Sequence, residues 1–327
     1  MSDPRTTWSR AQRIKNDTIY YLARLALALA ARMPRATLGV IGAFIGATVH
    51  ALAGGARSMA RANVQRALAA LTPEQAAALS RRAFVELGRL LGDTLALLRA
   101  DERPSRTLPF ADDERAKLAR ARAAGRGVVL VTAHLGPWER LAGVLVEHGF
   151  PLTTPVRASY DPRLEAAVHA RLRARHGVHA LDRDAATTPI ALLRALKRGE
   201  VVGMLIDVST RVASARVPFL GVPAWTPVGP ARLALRTGAP VVVAIATRAG
   251  VTVRPIRDVA EPCTRPTDDA VEALTMALND ALSEAIRAEP ERWIWMHDRF
   301  GDRETGARAK ALDLAAADSI EPSAGEI

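Results

Sequence analysis

His134 and Glu139 stand five residues apart at the end of an apolar run, Val128-Val129-Leu130-Val131-Thr132-Ala133-His134-Leu135-Gly136-Pro137-Trp138-Glu139. A neutral imidazole held by a carboxylate can take a proton from a hydroxyl as that hydroxyl attacks a carbonyl. No serine or cysteine nucleophile accompanies the pair, so the attacking hydroxyl would belong to a substrate. A plainer reading stays open beside it, in which Glu139 favours a helix start and His134 merely ends a strand.

Three more charged residues fall at element ends. Arg157 follows a second strand, Arg173 lies on the next helix four residues before Gly177, and Asp207 ends a fourth strand. Two arginines converging near His134 would clamp a phosphate on an acceptor, whereas each taken singly reads as a surface charge.

The elements that must position these residues follow from periodicity. Gly127–Ala133 is short, valine-rich and bounded by glycine, which predicts a buried strand of a parallel sheet. Gly136 can take the sharp turn after it, and Pro137 is pre-set for a helix start. Further strands are predicted at Leu152–Arg157, Val178–Leu181, Val201–Asp207, Pro240–Thr247 and Val251–Pro255. Helices are predicted at Pro137–His148, Pro162–Arg175, Pro189–Lys197, Pro227–Arg236 and Asp268–Arg287. This alternation predicts an α/β fold, a mostly parallel sheet covered by helices, with ligands gathered at the carboxyl ends of the strands. Residues 217–230 read as a long apolar loop, with Thr226 capping the next helix. Such a loop either lines an acyl-chain channel or packs on the core. The segment from Glu291 to Phe300 alternates aromatic and charged residues, as a sheet edge, a lid or a catalytic element would.

The first third differs in kind. Ile19–Ala31 reads as an amphipathic or interfacial helix, and Ala36–Ala56 is free of Asp, Glu, Lys and Arg and long enough to span a bilayer. Its glycines, Gly39, Gly42, Gly46, Gly54 and Gly55, suit close helix packing. Arginines flank it on both sides, so positive-inside counting selects no orientation. Thr72-Pro73-Glu74-Gln75 opens a helix as cap, first-turn proline and acidic turn. The division expected is 1–58 for membrane-associated helices, 59–300 for the α/β domain and 301–327 for a flexible tail.

Composition narrows the function class. The chain has 327 residues, 49% of them hydrophobic, enough for a substantial core. One cysteine, Cys263, excludes an internal disulfide and a multi-cysteine metal site. A net charge of +11 favours anionic partners, and only four of the basic residues are lysines. Nucleic acid is disfavoured as a partner, because the arginines are scattered and aromatics make up only 4%, too few for a stacking platform. No G-x-S-x-G, phosphate loop or dinucleotide fingerprint occurs.

In order along the chain, these pieces resemble the lysophospholipid acyltransferase superfamily, and within it the lipid A biosynthesis acyltransferases that add a lauroyl or myristoyl chain. The resemblance rests on His134 and Glu139 as an H-x4-E motif, Gly125-Arg126-Gly127, Arg173-Ala174-Arg175-His176-Gly177 and Leu196-Lys197-Arg198-Gly199. It continues through Pro218-Phe219-Leu220-Gly221 to Thr226, Gly238-Ala239-Pro240 and Trp293-x-Trp295-x-His297-x-Arg299-Phe300, with Arg61-Ala62-Asn63-Val64 upstream.

The resemblance implies an O-acyltransferase without a cofactor, with His134 as general base and Glu139 orienting and charging it. Arg173, Arg157 and Asp207 are then expected at the substrates. The implied donor is an acyl thioester of acyl carrier protein or coenzyme A, and the acceptor an anionic membrane lipid. The implied location is the inner membrane, with the catalytic domain on its cytoplasmic face. Two departures stand out: Pro137 replaces the family's usual Asn before Trp138-Glu139, and Val208 replaces the Gln that often follows the Asp at position 207. Phosphatidylinositol mannoside and lysophospholipid acyltransferases belong to the same superfamily and remain alternative activities.

Overall fold

The structure is a computed structural model and describes residues 8–157, 161–166, 171–209 and 212–301. The tail expected from 301 onward lies, apart from Gly301, outside the described residues, as do residues 167–170 within the helix expected over Pro162–Arg175.

Four helices come first: α1 (Arg10–Ala30), α2 (Arg35–Leu52), α3 (Gly54–Ala67) and α4 (Pro73–Ala96). Their starts obey local rules. Ser9 and Gln12 form a capping box on α1, and Thr72 and Gln75 form another on α4, with Pro73 in its first turn. Next come α5 (Asp112–Ala123), β1 (Val128–Thr132), α6 (Trp138–Glu147), β2 (Leu152–Val156), two short turns of helix, α7 (Pro162–Leu164) and α8 (Arg171–Arg175), and β3 (His179–Asp182). The chain continues through α9 (Thr188–Lys197), β4 (Val201–Leu205), β5 (Ser214–Phe219), β6 (Val222–Pro227), α10 (Gly229–Thr237), β7 (Val241–Ala246), β8 (Val251–Arg257) and α11 (Asp268–Ala288).

Among the described residues, six strands form one sheet in the order β3-β2-β4-β1-β7-β8, parallel except for β8, which runs antiparallel to β7. β1 lies inside the sheet with helices on both faces, and all five of its residues are buried. That burial explains its unbroken apolar run, since a strand covered on both sides has no solvent face to alternate with. Its two faces feed two cores. Val129 and Val131 pack with β4, β7, α10 and α11, while Val128 and Leu130 pack with α5 and α6.

Residues 217–227 of the apolar segment lie in a β-hairpin rather than a loop. β5 and β6 pair antiparallel from Ser214↔Pro227 to Phe219↔Val222, joined by Leu220 and Gly221, both at positive φ. The Leu220 N–H donates to Ser283 Oγ on α11 at 2.8 Å, which holds the turn in its left-handed conformation. Thr226 lies within β6 and does not cap α10, whose first residue is Gly229. Its buried hydroxyl instead accepts from Asn279 at 2.9 Å and from Arg299 at 2.7 Å. Phe219 and Leu220 are buried against α11, so this segment packs on the core.

α2 and α4 cross at glycines. Gly42 and Gly46 on α2 meet Gly88 and Phe84 on α4, and Gly92 meets Leu38, each with backbone against backbone. A Cβ at Gly42, Gly46, Gly88 or Gly92 would overlap a carbonyl of the other helix. The apolar segment of the first third is thereby joined to α4. Gly88→Ala is expected to destabilise the chain by about 1–3 kcal/mol, the usual cost of overpacking a tight contact. Thermal unfolding checks this against Gly55→Ala, where a Cβ meets open space and helix propensity favours alanine.

Candidate active site

β1 ends at Thr132, and Ala133 is still buried. Gly136 then turns the chain at a φ of 62°, and α6 begins at Trp138 after Pro137. Only glycine fits this turn, because a Cβ would overlap the Ala246 carbonyl as well as adopting a left-handed backbone.

The register of the sheet brings the partner of His134 from far along the chain. Thr132 pairs with Leu205 in the parallel β1/β4 ladder, so the residues two places beyond each, His134 and Asp207, leave the sheet side by side. The His134 backbone N–H donates to Asp207 Oδ2 at 2.8 Å, and its Nδ1 lies 2.9 Å from Oδ1. Asp207 also accepts from the indole Nε1 of Trp293 at 2.8 Å and is completely buried. An ionised carboxylate can only accept, so the neutral imidazole carries its proton on Nδ1 and keeps the lone pair at Nε2. The Trp138 ring stacks edge-on against the imidazole, with centroids 5.1 Å apart.

These contacts set the charge states. Burial by itself would lower the His134 pKa, but the charge and hydrogen bond of Asp207, with the charge of Glu139, outweigh it and raise the group above 6.5. Burial likewise pushes the Asp207 carboxyl upward, and His134 together with the donors from Trp293 and the His134 backbone brings it below its ordinary value. Arg299 is buried as well and feels the charge of Asp207. Burial lowers its own pKa to about 10, against the opposing pull of Asp207.

The carboxylate that orients the imidazole is therefore Asp207 and not Glu139. Glu139 lies in the first turn of α6 and accepts from Arg173 Nη2 at 3.1 Å. Arg173, on α8, also stands 3.6 Å from Glu165. Glu139 thus reaches His134 through its charge, while its hydrogen bond goes to the arginine. Asp207, expected at the substrates, is instead fully buried, and the hydrogen bonds it makes are to His134 and Trp293. Arg157 follows β2 and is exposed. β4 separates β2 from β1, which puts Arg157 about 10 Å of strand spacing from the His134 strand. Arg173 meets Glu139 and Glu165 through one nitrogen each, so it lies nearer His134 than Arg157 does.

Sequence reasoning missed the link from Trp293 to Asp207. Its signal was the aromatic alternation near the end of the chain. Leu135 forms an antiparallel bridge with Trp293, which sets the indole beside the turn. Asn63 donates to the carbonyls of Trp295 and His297 at 2.8 and 2.7 Å, and Arg66 donates to that of Phe300 at 2.9 Å. The two motifs at opposite ends of the domain thus brace each other. Among the described residues, no group of three or more His, Cys, Asp or Glu side chains is placed to hold a metal ion.

The sequence model of a family described as bacterial lipid A biosynthesis acyltransferase matches residues 6–302. Two curated relatives, each named phosphatidylinositol mannoside acyltransferase, come from Mycobacterium tuberculosis strains CDC 1551 / Oshkosh and ATCC 25618 / H37Rv. Each is 28% identical over 196 residues, which cover 58% of this chain and 61% of the relative. The match therefore spans less than two thirds of the relatives' length.

Proposed function

The chain belongs to the bacterial lipid A biosynthesis acyltransferase family, and from that premise we propose that it moves a fatty acyl chain from a thioester to a hydroxyl of a membrane lipid. The observation that carries this reading is the His134–Asp207 pair, a base whose Nδ1 is held and whose Nε2 is left for a substrate. In the proposed step, Nε2 takes the proton of the acceptor hydroxyl as its oxygen attacks the thioester carbonyl. The tetrahedral adduct collapses with loss of the thiolate, and the imidazolium returns the proton to sulfur. The products are an ester and a free thiol.

Asp207 holds the tautomer and stabilises the imidazolium. Glu139 adds negative charge nearby and anchors Arg173, whose guanidinium lies beside the site and suits an anionic acceptor. The donor proposed is a thioester of acyl carrier protein or coenzyme A, and the acceptor a lipid A-type glycolipid. The names of the two relatives favour a second acceptor class, a phosphatidylinositol mannoside. Mass spectrometry of lipids from a deletion strain decides between them, since the lipid that lacks one acyl chain is the acceptor. A full set of acylated lipids, with no acyl transfer by the purified protein, would overturn the reading.

The proposed place of work is the inner membrane, with the catalytic turn at its cytoplasmic face. α2 is the one helix among the described residues that is long and apolar enough to cross a bilayer. Its side chains Val40, Ile41, Phe44, Ile45, Val49 and Leu52 are exposed. A soluble surface seldom carries a contiguous apolar face of this extent. Val40→Glu with Phe44→Glu is expected to shift the full chain from floating vesicles to the unbound fraction. Flotation after a high-salt wash checks it, because salt screens adsorption by charge and leaves apolar insertion intact. Unchanged flotation of the double variant counts against α2 as the contact.

A further inference from the structure

A cavity of about 390 Å³ opens beside Pro137, between the first turns of α2 and the C-terminal half of α4. Its lining presents five guanidinium groups, those of Arg35, Arg89, Arg140, Arg248 and Arg292, to two carboxylates, Glu86 and Asp93. Two of the arginines form a buried floor. Arg140 is 1% exposed and is spent on Asp93, at 2.8 and 3.0 Å, and on Glu102 at 2.8 Å. Arg292 is 7% exposed and donates to Glu289 and the Ala246 carbonyl, but its Nε makes no hydrogen bond and stands 3.5 Å from Glu86.

The other three form the rim, with side chains 44%, 58% and 56% exposed for Arg35, Arg89 and Arg248. Each meets carboxylates through a single nitrogen: Arg35 Nε to Asp93 at 2.5 Å, Arg89 Nη1 to Glu86 at 3.3 Å, and Arg248 Nη2 to Glu291 at 2.7 Å with Glu86 at 3.8 Å. A guanidinium carries five N–H groups, so most of the rim's donors are unspent. Glu102, Glu289 and Glu291 balance the cluster's charge from outside the lining. What the cavity offers is therefore a set of directed donors, the arrangement that binds a phosphate with two bonds per arginine. α2 contributes as well, since its start at Pro34 has no side-chain cap and Ala36 lines the cavity.

The exposed apolar face of α2 begins one residue beyond Gly39, which lines the same cavity. It runs from Val40 to Leu52, about 18 Å along the helix. We propose that the cavity binds the phosphate of a membrane glycerophospholipid whose acyl chains lie along this face of α2, as a site separate from the acceptor hydroxyl at His134. The proposal rests on the reading of α2 as the membrane contact and not on acyl transfer. It gives the catalytic domain a fixed seat on the bilayer, because α2 is locked to α4 by the glycine crossing.

The test titrates the full chain, in a neutral maltoside detergent, with short-chain dihexanoyl phosphatidate, with dihexanoylglycerol and with inorganic phosphate. Because the short-chain lipid is soluble, its binding requires neither bilayer partition nor catalysis, and failure here is distinct from failure of either proposal above. Phosphatidate is expected to bind, dihexanoylglycerol not to, and Arg35→Gln and Arg89→Gln are each expected to weaken phosphatidate about tenfold, the scale of a charged hydrogen bond. Both side chains are rim groups, and Asp93 and Glu86 keep Arg140 and Arg292 beside them, so the variants should fold. Arg120→Gln, on the exposed side of α5, is the unaffected control. Equal affinity for inorganic phosphate would overturn the lipid part of the proposal. Affinity unchanged in the two rim variants would overturn the site.

Discussion

Asp207→Asn is expected to lower acyl transfer by a factor on the order of 10²–10⁴ while the protein stays folded. The two oxygens of Asp207 have different work. Oδ2 accepts from both the His134 backbone N–H and Trp293 Nε1, and Oδ1 faces His134 Nδ1. In the amide, those two donors claim the single oxygen, which leaves the NH₂ facing Nδ1. The imidazole must then accept at Nδ1 and carry its proton on Nε2, so the atom that should take the proton already has one. Losing the carboxylate charge also removes a cause that raises the His134 pKa, so its titration moves down. Steady-state kinetics, with circular dichroism as the folding check, measure the effect. A wild-type rate in Asp207→Asn would remove Asp207 from the mechanism.

His134→Ala should lower acyl transfer by at least ~10²-fold, the usual scale for a positioned acid–base group. The pH profile carries a second sign. A general base works deprotonated, and the His134 pKa is raised above 6.5, so activity should climb through an acid limb lying above 6.5. In Asp207→Asn the residual activity should show that limb displaced to lower pH. In Glu139→Gln the displacement has the same direction, because Glu139 acts on His134 by charge. Rates measured from pH 5 to 9 with saturating donor test both shifts. A purified His134→Ala protein that transfers acyl chains at the wild-type rate would end the assignment.

Much of the frame was legible in the chain because its causes are local. The valine run of β1 announces a strand buried on both faces, and Thr72-Pro73-Glu74-Gln75 announces α4 through cap, proline and acidic turn. Residues 217–227 depart from the loop that their composition predicts, and for a local reason too. Pro218, Gly221 and Pro223 punctuate the segment like a loop, yet proline is tolerated in a two-stranded hairpin whose outer edges need no ladder bonds.

The candidate site divides along the same line. Local spacing alone shows that a histidine leaves a buried strand at a glycine turn and that a glutamate follows on the next helix. Both facts depend on neighbours within six residues. Which carboxylate holds the imidazole was decided only by the tertiary structure. Asp207 lies 73 residues from His134 and meets it because β4, and not the consecutive β2, pairs with β1 in a register that sets Thr132 opposite Leu205. Strand order and register arise from packing many elements at once, and no local spacing encodes them. The same packing drew Glu139 to Arg173, buried Asp207 under the indole of Trp293, and turned a stretch of apolar glycine-rich helix into a tight crossing with α4.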